Sequence, residues 1–327
     1  MCSADKDCLR VHFFNVGDGD SILIEAYEGG NVFRLLIDAG RMLESPPAPC
    51  ANCADHLLRL GVTRLNLVLI THLHEDHFCG LDGLIGRVQI DELLCAYVPE
   101  RPELPIPPEP GAIKTIQGMI NCLNRWTVQL RQLEALGCKI TRLQKTQTGV
   151  RLTDRLRADW ILPDDAYLRF QNRVFDQLRL RKPPNKREKI FASKLRNPNS
   201  LRVRLRYAGR TLELSGDCYG SEWEADAQPC DLFKLPHHGD AKSVTPQLVQ
   251  RLKPAHAVIS CSRDYMPLKD RPSAESAKLL REVGAKLWYT DAFDDGVQPV
   301  RSAPELCFSI DRKGNISADV QCELSLE

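Results

Sequence analysis

The stretch Thr71-His72-Leu73-His74-Glu75-Asp76-His77 decides how the rest of this chain is interpreted. It directly follows the apolar residues 67–70, Leu-Val-Leu-Ile, whose branched members are typical of a buried strand. Three imidazoles and a carboxylate within six positions would repel one another if protonated, and would lose solvation if buried without partners. A divalent metal ion resolves both difficulties, because neutral imidazole nitrogens and carboxylate oxygens are its usual ligands. The stretch therefore predicts a metal site.

The spacing of the four candidate ligands predicts two ions. His72 and His74 alternate by two positions, so on an extended segment both can face one ion. Asp76 and His77 come one step later and can reach a second ion about 3.5–4 Å away, the separation common in two-metal hydrolases. The alternative, a polar loop with scattered histidines, fits poorly with so dense a run. We expect two divalent ions, with zinc as the first choice and manganese or iron as alternatives.

Length and composition set the outer bounds of the interpretation. The chain has 327 residues and a net charge of +1, enough for one large domain or one domain with a sizeable inserted segment. No apolar stretch approaches the ~20 residues needed to cross a bilayer, and the N-terminal residues lack the apolar core of a signal peptide. An odd number of cysteines, 13, favours reduced thiols. We expect a soluble, cytoplasmic protein that does not act at a membrane.

The residues before the metal stretch predict a sandwich of sheets. Residues 11–16 and 21–26 read as two strands, joined by the tight turn Gly17-Asp18-Gly19-Asp20. Residues 33–37 form a third predicted strand and lead into Asp38-Ala39-Gly40, and a short helix over residues 55–60 precedes the metal stretch. Strands and helices in this order indicate packed sheets with helices outside.

Several short motifs agree in order and spacing with one known family. Asn15-Val16-Gly17-Asp18-Gly19-Asp20-Ser21, Leu36-Ile37-Asp38-Ala39-Gly40 and residues 72–77 resemble the metallo-β-lactamase fold, and within it the ComEC-type branch. Residues 199–205, 214–217 and 235–239 continue that resemblance, which covers roughly residues 9–95 and 198–310. It implies an α/β (α+β) fold, a four-layer αββα sandwich with metals at its open edge. We expect one domain over residues 1–327, with residues 99–197 as an insertion or cap.

The resemblance also implies further ligands. Asp217 should bridge the two ions, because a carboxylate has two oxygens. Either His237 or His238 should bind the second ion while the other points into the cleft, and His237 is slightly favoured as the ligand. The predicted metal ligands are thus His72, His74, Asp76, His77, Asp217 and His237, and the predicted catalytic residues are Asp76, Asp217 and His238.

Two other residues stand near this set. Asn199 occupies the place where many relatives have a histidine that completes the shell of the first ion. That ion is therefore expected to be under-coordinated or completed by water, with Asn199 as a candidate neighbour. Asp38 is expected to orient the histidine loop rather than to bind metal.

Arg271 marks a departure from the family pattern. ComEC-type relatives usually have a His-Pro pair at this place, whereas this chain has Arg271-Pro272. Arginine cannot give up a proton, but it binds a phosphate through two hydrogen bonds. The substitution favours a phosphate-containing substrate and leaves the general acid open.

Residues 169–206 are strongly basic. They contain 13 arginines and lysines but only Asp176 and Glu188 as acidic residues. The stretch directly precedes a metal-site motif and would suit a polyanion, with Lys186, Arg187 and Lys189 as candidate substrate-binding residues. A solvated, poorly ordered loop is the alternative. Arg202, Arg204 and Arg206 alternate along a predicted strand and are expected on its solvent face.

Three functions remain open from the sequence. The first is a phosphodiesterase or nuclease in which a hydroxide held between two metal ions attacks phosphorus. The second is hydrolysis of a small ester, amide or thioester by the same centre. The third is a nucleic-acid-binding partner protein whose metal site is structural. Salt-sensitive binding would separate the first from the second, and metal-dependent turnover would separate both from the third. Hydrolysis of β-lactams is not expected, because such enzymes are usually secreted.

Overall fold

Two β-sheets face each other in the middle of the molecule, and helices cover the outer face of each sheet. The structure is a computed structural model that describes residues 7–180, 184–262, 271–294, 299–300 and 303–321. These four layers confirm the αββα sandwich expected from the order of the strands and helices. The resulting fold is mixed α/β.

The first sheet is antiparallel at one side and parallel at the other. Its strand order is β19-β18-β1-β2-β3-β5-β7-β8. The antiparallel strands are β1 (Cys8–Phe14), β2 (Ile22–Glu28), β3 (Asn31–Ile37), β18 (Glu305–Asp311) and β19 (Ile316–Gln321). The strands that run parallel to β3 are β5 (Leu67–Leu69), β7 (Glu92–Cys95) and β8 (Lys139–Arg142).

The second sheet has the same mixed character. Its strand order is β15-β14-β13-β12-β11-β10-β9. The antiparallel strands are β9 (Gln147–Arg151), β10 (Arg157–Ile161), β11 (Arg202–Tyr207) and β12 (Arg210–Leu214). The strands that run parallel to β12 are β13 (Leu232–Lys234), β14 (His256–Ile259) and β15 (Lys286–Tyr289). Two small ribbons complete the strands, β4 (Arg64–Leu65) with β6 (Gln89–Ile90), and β16 (Phe293–Asp294) with β17 (Pro299–Val300).

Helices enclose both sheets. The first sheet is covered by α1 (Cys53–Arg59), α3 (Leu81–Leu84), α4 (Lys114–Ala135), α5 (Asp165–Gln177) and α6 (Lys186–Lys194). The second is covered by α7 (Pro246–Leu252) and α8 (Ala274–Glu282). The remaining helix, α2 (Glu75–Phe78), and the 3-10 turns Gly220–Glu222, Glu224–Asp226 and Pro236–Gly239 lie in connections. Among the described residues, no helix is both long and apolar enough to cross a bilayer.

The apolar pattern of the strands explains the central layer. Alternate residues of the first sheet, such as Leu9, Val11 and Phe13, point inwards and pack against residues such as Val203 and Leu205 of the second. The apolar residues that alternate with them, such as Phe14 in β1 and Leu23 in β2, point to the other face of the sheet and pack against the helices. The central strands of both sheets are therefore buried on both faces, whereas the edge strands β8 and β9 are largely exposed.

Residues 99–197 do not form a cap apart from the sandwich. They supply β8 to the first sheet, and β9 and β10 to the second. They also supply α4, α5 and α6, whose apolar sides join the core that covers the first sheet. Whether this segment is an insertion relative to other family members stays a prediction.

Candidate metal centre

The metal stretch begins where the parallel strand β5 ends. His72 and His74 lie on the extended residues between β5 and α2, and their rings meet edge to face with Nε2 of His72 2.8 Å from Nδ1 of His74. Asp217 approaches from the end of β12 in the other sheet, with Oδ2 3.6 Å from Nε2 of His72. Donor atoms of these three residues lie close enough together to hold one ion.

A second group of donors adjoins the first. Asp76 and His77 lie in α2, and His238 comes from the turn after β13. Nε2 of His238 is 3.4 Å from Oδ2 of Asp76. Asp217 links the groups, because its Oδ1 lies 3.2 Å from Nε2 of His77 while its Oδ2 faces His72. The structure thus brings together all the residues of the predicted run with Asp217.

The two histidines after β13 have different surroundings. Nδ1 of His237 lies 2.5 Å from Oδ2 of Asp240, and its Nε2 lies 3.0 Å from Nδ2 of Asn197. Both ring nitrogens of His237 thus lie near side chains outside the donor groups, whereas His238 joins Asp76 and His77 in a group of metal donors. Which of the two histidines binds metal stays a prediction. The physical reason for their different surroundings is the backbone of the turn. Both histidines have positive φ values, 48° and 58°, which direct their side chains differently from those of a regular strand end.

Asp38 lies behind the histidines, in the place expected for an orienting residue. Its Oδ2 lies 2.7 Å from Nδ1 of His77, so Nε2 of that ring is left to face Asp217. It also accepts hydrogen bonds from the backbone N–H of Thr71, at 2.8 Å, and from its hydroxyl, at 2.7 Å. One buried carboxylate thus fixes both the start of the metal stretch and the orientation of His77.

Two glycines allow the loops of the site to approach one another closely. A Cβ atom at Gly80 would lie 1.9 Å from the carbonyl oxygen of Ala39. A Cβ atom at Gly19 would lie 2.5 Å from the carbonyl oxygen of Asp76. Both distances are far below ordinary contact, so only glycine fits at either position. The motifs around residues 15–21 and 36–40 therefore support the metal stretch directly.

Burial keeps two of the histidines neutral. It lowers the pKa of His72 well below its ordinary value, and the neighbouring His77 acts in the same direction. Burial, with a contribution from Arg196, lowers the pKa of His74 to about 3. Neutral imidazoles are the form that binds metal.

The carboxylates of the site favour a positive charge among them. Burial would raise the pKa of Asp217, but His77, His238 and His237 outweigh it and hold that pKa well below its ordinary range. Burial would likewise lower the pKa of His77, but Asp217 and Asp38 outweigh it and raise that pKa well above its ordinary value. A divalent cation would be stabilised by the same carboxylates.

Unpaired buried atoms support the same conclusion. Nε2 of His77, Oδ1 of Asp217 and both ring nitrogens of His238 are buried without a hydrogen-bond partner. Buried polar groups are ordinarily paired, and these atoms converge on one point of the molecule. Imidazole nitrogens and carboxylate oxygens in this number suit a borderline-soft divalent ion such as zinc. The residues present therefore fit a divalent-metal centre.

Asn199 lies beside the first group of donors without contacting it. Its side-chain N–H groups donate to the carbonyl oxygen of Tyr167, at 3.3 Å, and to Oε1 of Gln171, at 3.1 Å. Its Oδ1 is buried and has no hydrogen-bond partner. Asn199 and His72 also line one small internal cavity. A role for Asn199 next to the first ion stays a prediction.

The sequence interpretation missed a buried ion pair beneath the site. Lys234 is fully buried, and its amine contacts Oδ2 of Asp20 and, at 3.3 Å, the carbonyl oxygen of Gly216. Asp20 in turn has Oδ2 3.8 Å from Nδ1 of His77 and belongs to a third group of metal donors with His77 and Asp217. A single lysine within the apolar residues 232–235 is the signal that would have identified the pair.

Arg271 lies at the rim of the site. Its Nη2 is 3.8 Å from Oδ2 of Asp240, the carboxylate that contacts His237, and its side chain is 21% exposed. Lys242 lies on the same side, with its amine 5.6 Å from the ring centroid of Tyr219. Arg271 is thus partly exposed to solvent and Lys242 is exposed.

Six of the thirteen cations of the basic stretch pair with carboxylates of the protein. Lys189, predicted to bind substrate, is instead buried, and its amine lies 2.6 Å from Glu109, so it is not free at the surface. Its role in substrate binding stays a prediction. Arg202 and Arg204 are buried against Glu213 at 3.1 and 2.7 Å, which overturns their expected place on a solvent face. The sequence could not show this, because the acidic partners lie outside the stretch.

The other cations of the stretch differ in their surroundings. Arg169, Arg173 and Arg206 pair with Asp165, Glu188 and Asp159, whereas Arg179 and Arg196 are buried and donate to protein oxygens. Arg181 and Lys182 lie outside the described residues. Lys186, Arg187 and Lys194 are exposed, and none forms an ion pair with a described carboxylate. The alternative of a poorly ordered loop is wrong for residues 186–194, which form the helix α6.

Comparison with known proteins agrees with the fold. Residues 14–105 match the model of the metallo-beta-lactamase superfamily, a span that includes the whole metal stretch. The chain is 30% identical over 106 residues to ribonuclease Z of Mycolicibacterium gilvum (strain PYR-GCK) and 32% identical over 105 residues to ribonuclease Z of Mycobacterium avium (strain 104). Each match covers 32% of this chain and 32% of the relative, so the chain matches about a third of the length of these curated relatives.

One solved structure spans nearly the whole chain. It is the metallo-beta-lactamase fold protein YhfI from Bacillus subtilis, with a TM-score of 0.47 and 10% identity. The similarity covers 96% of this chain and all of that one.

Proposed function

We propose that this chain, whose residues 14–105 match the metallo-beta-lactamase superfamily, is a metal-dependent hydrolase of phosphate-containing substrates, either a phosphodiesterase or a nuclease. One observation supports this above the others. The two oxygens of Asp217 face two separate groups of metal donors, His72 with His74 on one side and His77 with Asp76 and His238 on the other.

The proposed roles of the residues follow from their positions. Two divalent ions in these groups would supply Lewis acidity and lower the pKa of bound water towards ~7. Neutral His72 and His74 provide nitrogen donors, and Asp38 holds His77 so that its Nε2 faces Asp217. His238 rather than His237 completes the second group.

Two observations support a phosphate-containing substrate. Arg271 stands at the rim of the site, and its guanidinium suits the oxygens of a phosphate. The partial match to two ribonucleases Z, over about a third of their length, is consistent with a phosphodiester of RNA. The closer assignment to the ComEC-type branch rests on the sequence motifs and remains part of this proposal.

A second candidate is hydrolysis of a small ester, amide or thioester. The observation that favours it is the internal neutralisation of the basic stretch, where Lys189, Arg202 and Arg204 all face buried or partly buried carboxylates. A long polyanion therefore meets less positive charge than the sequence indicates. A structural metal site in a nucleic-acid-binding protein is the remaining alternative.

The test compares turnover of two small substrates by the metal-loaded protein. Bis(p-nitrophenyl) phosphate reports phosphodiester cleavage, and p-nitrophenyl acetate reports carboxyl-ester cleavage. We expect cleavage of the phosphodiester that chelator abolishes and added zinc or manganese restores. His74→Ala should lower it at least about 10³-fold, since the activated water depends on the metals.

His256→Gln is the matched control. This histidine lies outside the metal centre, beside Trp288, and its replacement should leave turnover unchanged. Cleavage of the acetate alone would favour the second candidate. Turnover that chelator does not reduce and that persists in His74→Ala would show that the catalytic centre lies elsewhere.

A further inference from the structure

One side of helix α6 has an unusual composition. Arg187, Phe191 and Lys194 are four and three positions apart, so they lie on the same side of the helix, and all three are exposed. The other side of the helix packs against the protein. Lys189 is buried against Glu109, and Ile190 packs against the core that covers the first sheet. The exposed side thus presents a cation, an aromatic ring and a second cation in sequence.

Helix α5 enlarges the aromatic part of this surface. Tyr167 and Phe191 are 44% and 43% exposed, and their ring centroids lie 6.1 Å apart at an interplanar angle of 85°. Phe170 supports Phe191 from below, with ring centroids 5.2 Å apart. Tyr167 and Phe191 are the aromatic members of the large exposed hydrophobic side chains in the described part of the chain. Two neighbouring half-exposed rings indicate a surface that contacts a partner.

The charge around the rings is positive. Lys186, Arg187 and Lys194 have no ion pair with a carboxylate in the residues that the structure describes. The acidic residues nearby are already engaged, since Asp165 pairs with Arg169 and Glu188 pairs with Arg173. A negatively charged partner would therefore meet free cations on both sides of Phe191.

This surface leads into the metal centre. Arg196, two residues beyond the end of α6, donates to the carbonyl oxygen of Leu73, which lies between two predicted ligands, at 3.2 Å. Asn197 contacts His237 at 3.0 Å. On α5, the carbonyl oxygen of Tyr167 accepts a hydrogen bond from Asn199. Both helices are thus joined to the site by residues 196–199, and the rings lie beside the site rather than at a remote surface.

We propose that Tyr167 and Phe191, with Arg187 and Lys194, form a docking surface for single-stranded nucleic acid beside the metal centre. Bases of any sequence stack on exposed aromatic rings, and cations on either side hold the phosphates between them. The two cations are about 10 Å apart along the helix, at a rise of ~1.5 Å for each residue. The proposal rests on the proposed phosphodiesterase function and specifies its substrate as a strand with accessible bases.

Binding of labelled strands, measured by fluorescence anisotropy with chelator present to prevent cleavage, tests the proposal. The probes are a mixed-sequence single strand and an abasic strand of equal length, which has the same phosphates but no bases. Phe191→Ala should weaken binding to the first about 5- to 150-fold and leave binding to the second unchanged. Phe191→Trp should retain binding to both.

The cations are tested with the same probes. Arg187→Ala combined with Lys194→Ala should weaken binding to both strands. It should also flatten the slope of log K against log salt by about 1.4, since each phosphate contact in a single strand contributes ~0.7. Val128→Ala and Arg131→Ala are matched controls, because both residues are exposed on α4 and lie outside the docking surface. They should bind like the parent protein.

Two results would overturn the proposal. The first is equal affinity of the parent protein and Phe191→Ala for the base-containing strand. The second is that Phe191→Ala and the double variant lose binding only to anionic lipid vesicles or to an acidic peptide, which would assign the surface to a different partner. Turnover of bis(p-nitrophenyl) phosphate by the same proteins, loaded with zinc and without chelator, separates this proposal from the proposed function. Its absence from the parent protein would overturn the function, whereas its persistence without strand binding would overturn the docking surface alone.

Discussion

Asp217 is the residue on which both groups of metal donors converge. Its two oxygens lie 3.6 Å from His72 and 3.2 Å from His77. It is buried, and its backbone N–H donates to Oγ of Ser200 at 3.2 Å. Asp217 belongs to the group with His72 and His74 and to a further group with His77 and Asp20. A change at this position should therefore affect both ions together.

Asp217→Ala should lower the zinc content of the purified protein from two ions for each chain to less than one. The reason is that Asp217 is proposed to bind both ions, so its loss removes one ligand from each of them. Elemental analysis after equilibrium dialysis measures this directly. Asp240→Ala is the control, because Asp240 contacts His237 and lies outside the donor groups. Full metal content in Asp217→Ala would exclude the bridging role.

The two adjacent histidines after β13 should differ in their effect on metal binding. His238→Ala removes a donor from the group with Asp76 and His77, so we expect zinc affinity of the second site to fall at least about tenfold. His237→Ala removes a ring whose nitrogens already contact Asp240 and Asn197, so metal affinity should change much less. Competition with a zinc-binding dye measures both affinities. The opposite order would restore His237 as the ligand.

The sequence could not decide between these histidines for a physical reason. The dense run of residues 72–77 is read from spacing alone, because the chain there is extended and then turns into a helix. The direction of His237 and His238 depends instead on two consecutive left-handed backbone conformations, which are rare outside glycine. The direction of each side chain depends on that turn, which the residue names alone do not reveal.

At the level of elements, close contact between loops holds the site together. The loop after β3 approaches α2 so closely that the backbone N–H of Ala39 donates to the carbonyl oxygen of His77 at 2.7 Å. Gly80 lies in the same contact, and its N–H donates to the carbonyl oxygen of Gly40 at 2.9 Å. A side chain at this position would separate the two loops.

Gly80→Ala should destabilise the protein by about 1–3 kcal/mol or more and weaken zinc binding, because a Cβ atom there would lie 1.9 Å from the carbonyl oxygen of Ala39. Gly118→Ala is the matched control. Gly118 lies in α4, and a Cβ atom at that position has no neighbour within 4 Å, so the change should stabilise the protein by ~0.5–1 kcal/mol. Denaturant unfolding of the two variants measures the difference. Equal stability of the variants would contradict the account of this contact.

Elements with a strong apolar period were predicted well, and the others were not. Apolar residues such as Ile116, Ile120 and Leu123 recur at helical spacing, which is the pattern that predicts a helix, and they lie in α4 (Lys114–Ala135). Strand β9 has no such signal, since most of its residues are exposed, and its place in the second sheet follows from pairing with β10. The segment predicted as an insertion, residues 99–197, therefore contains strands of both sheets.

The charge pattern illustrates a limit that applies to the whole molecule. Thirteen cations within residues 169–206 predict a positive surface, yet Arg202 and Arg204 are buried and share the single carboxylate of Glu213 on the neighbouring strand. Partners that are distant in sequence decide how much charge reaches the solvent. Helix α6 keeps exposed cations because its only acidic residue, Glu188, is engaged by Arg173 and by the cap of the helix.

The pH dependence of stability should reveal a buried charge far from the metal centre. His12 lies between Glu25, at 3.3 Å, and Glu305, at 3.4 Å. Burial would lower the pKa of His12, but Cys307 and these carboxylates outweigh it and raise the pKa well above its ordinary value. A raised folded pKa gives stability that is complete below the unfolded pKa of ~6.5 and is lost as pH rises towards the folded pKa.

His12→Asn should remove this dependence. The difference in unfolding free energy between the parent protein and the variant should be largest below about pH 6.5 and should shrink as the pH rises further. Both proteins are measured with zinc bound, so that the histidines of the metal centre contribute equally to each. A difference that stays constant from pH 6 to pH 9 would show that His12 does not change its charge in this range.

The central claim is that two divalent ions lie between the two sheets and share Asp217. An anomalous difference map from zinc-loaded crystals of the protein tests it most directly. We expect two peaks, one within about 2.0–2.2 Å of donor atoms from His72, His74 and Asp217, and one at the same distance from donor atoms of Asp76, His77, His238 and Asp217. A single peak, or peaks that lie away from Asp217, would contradict the account.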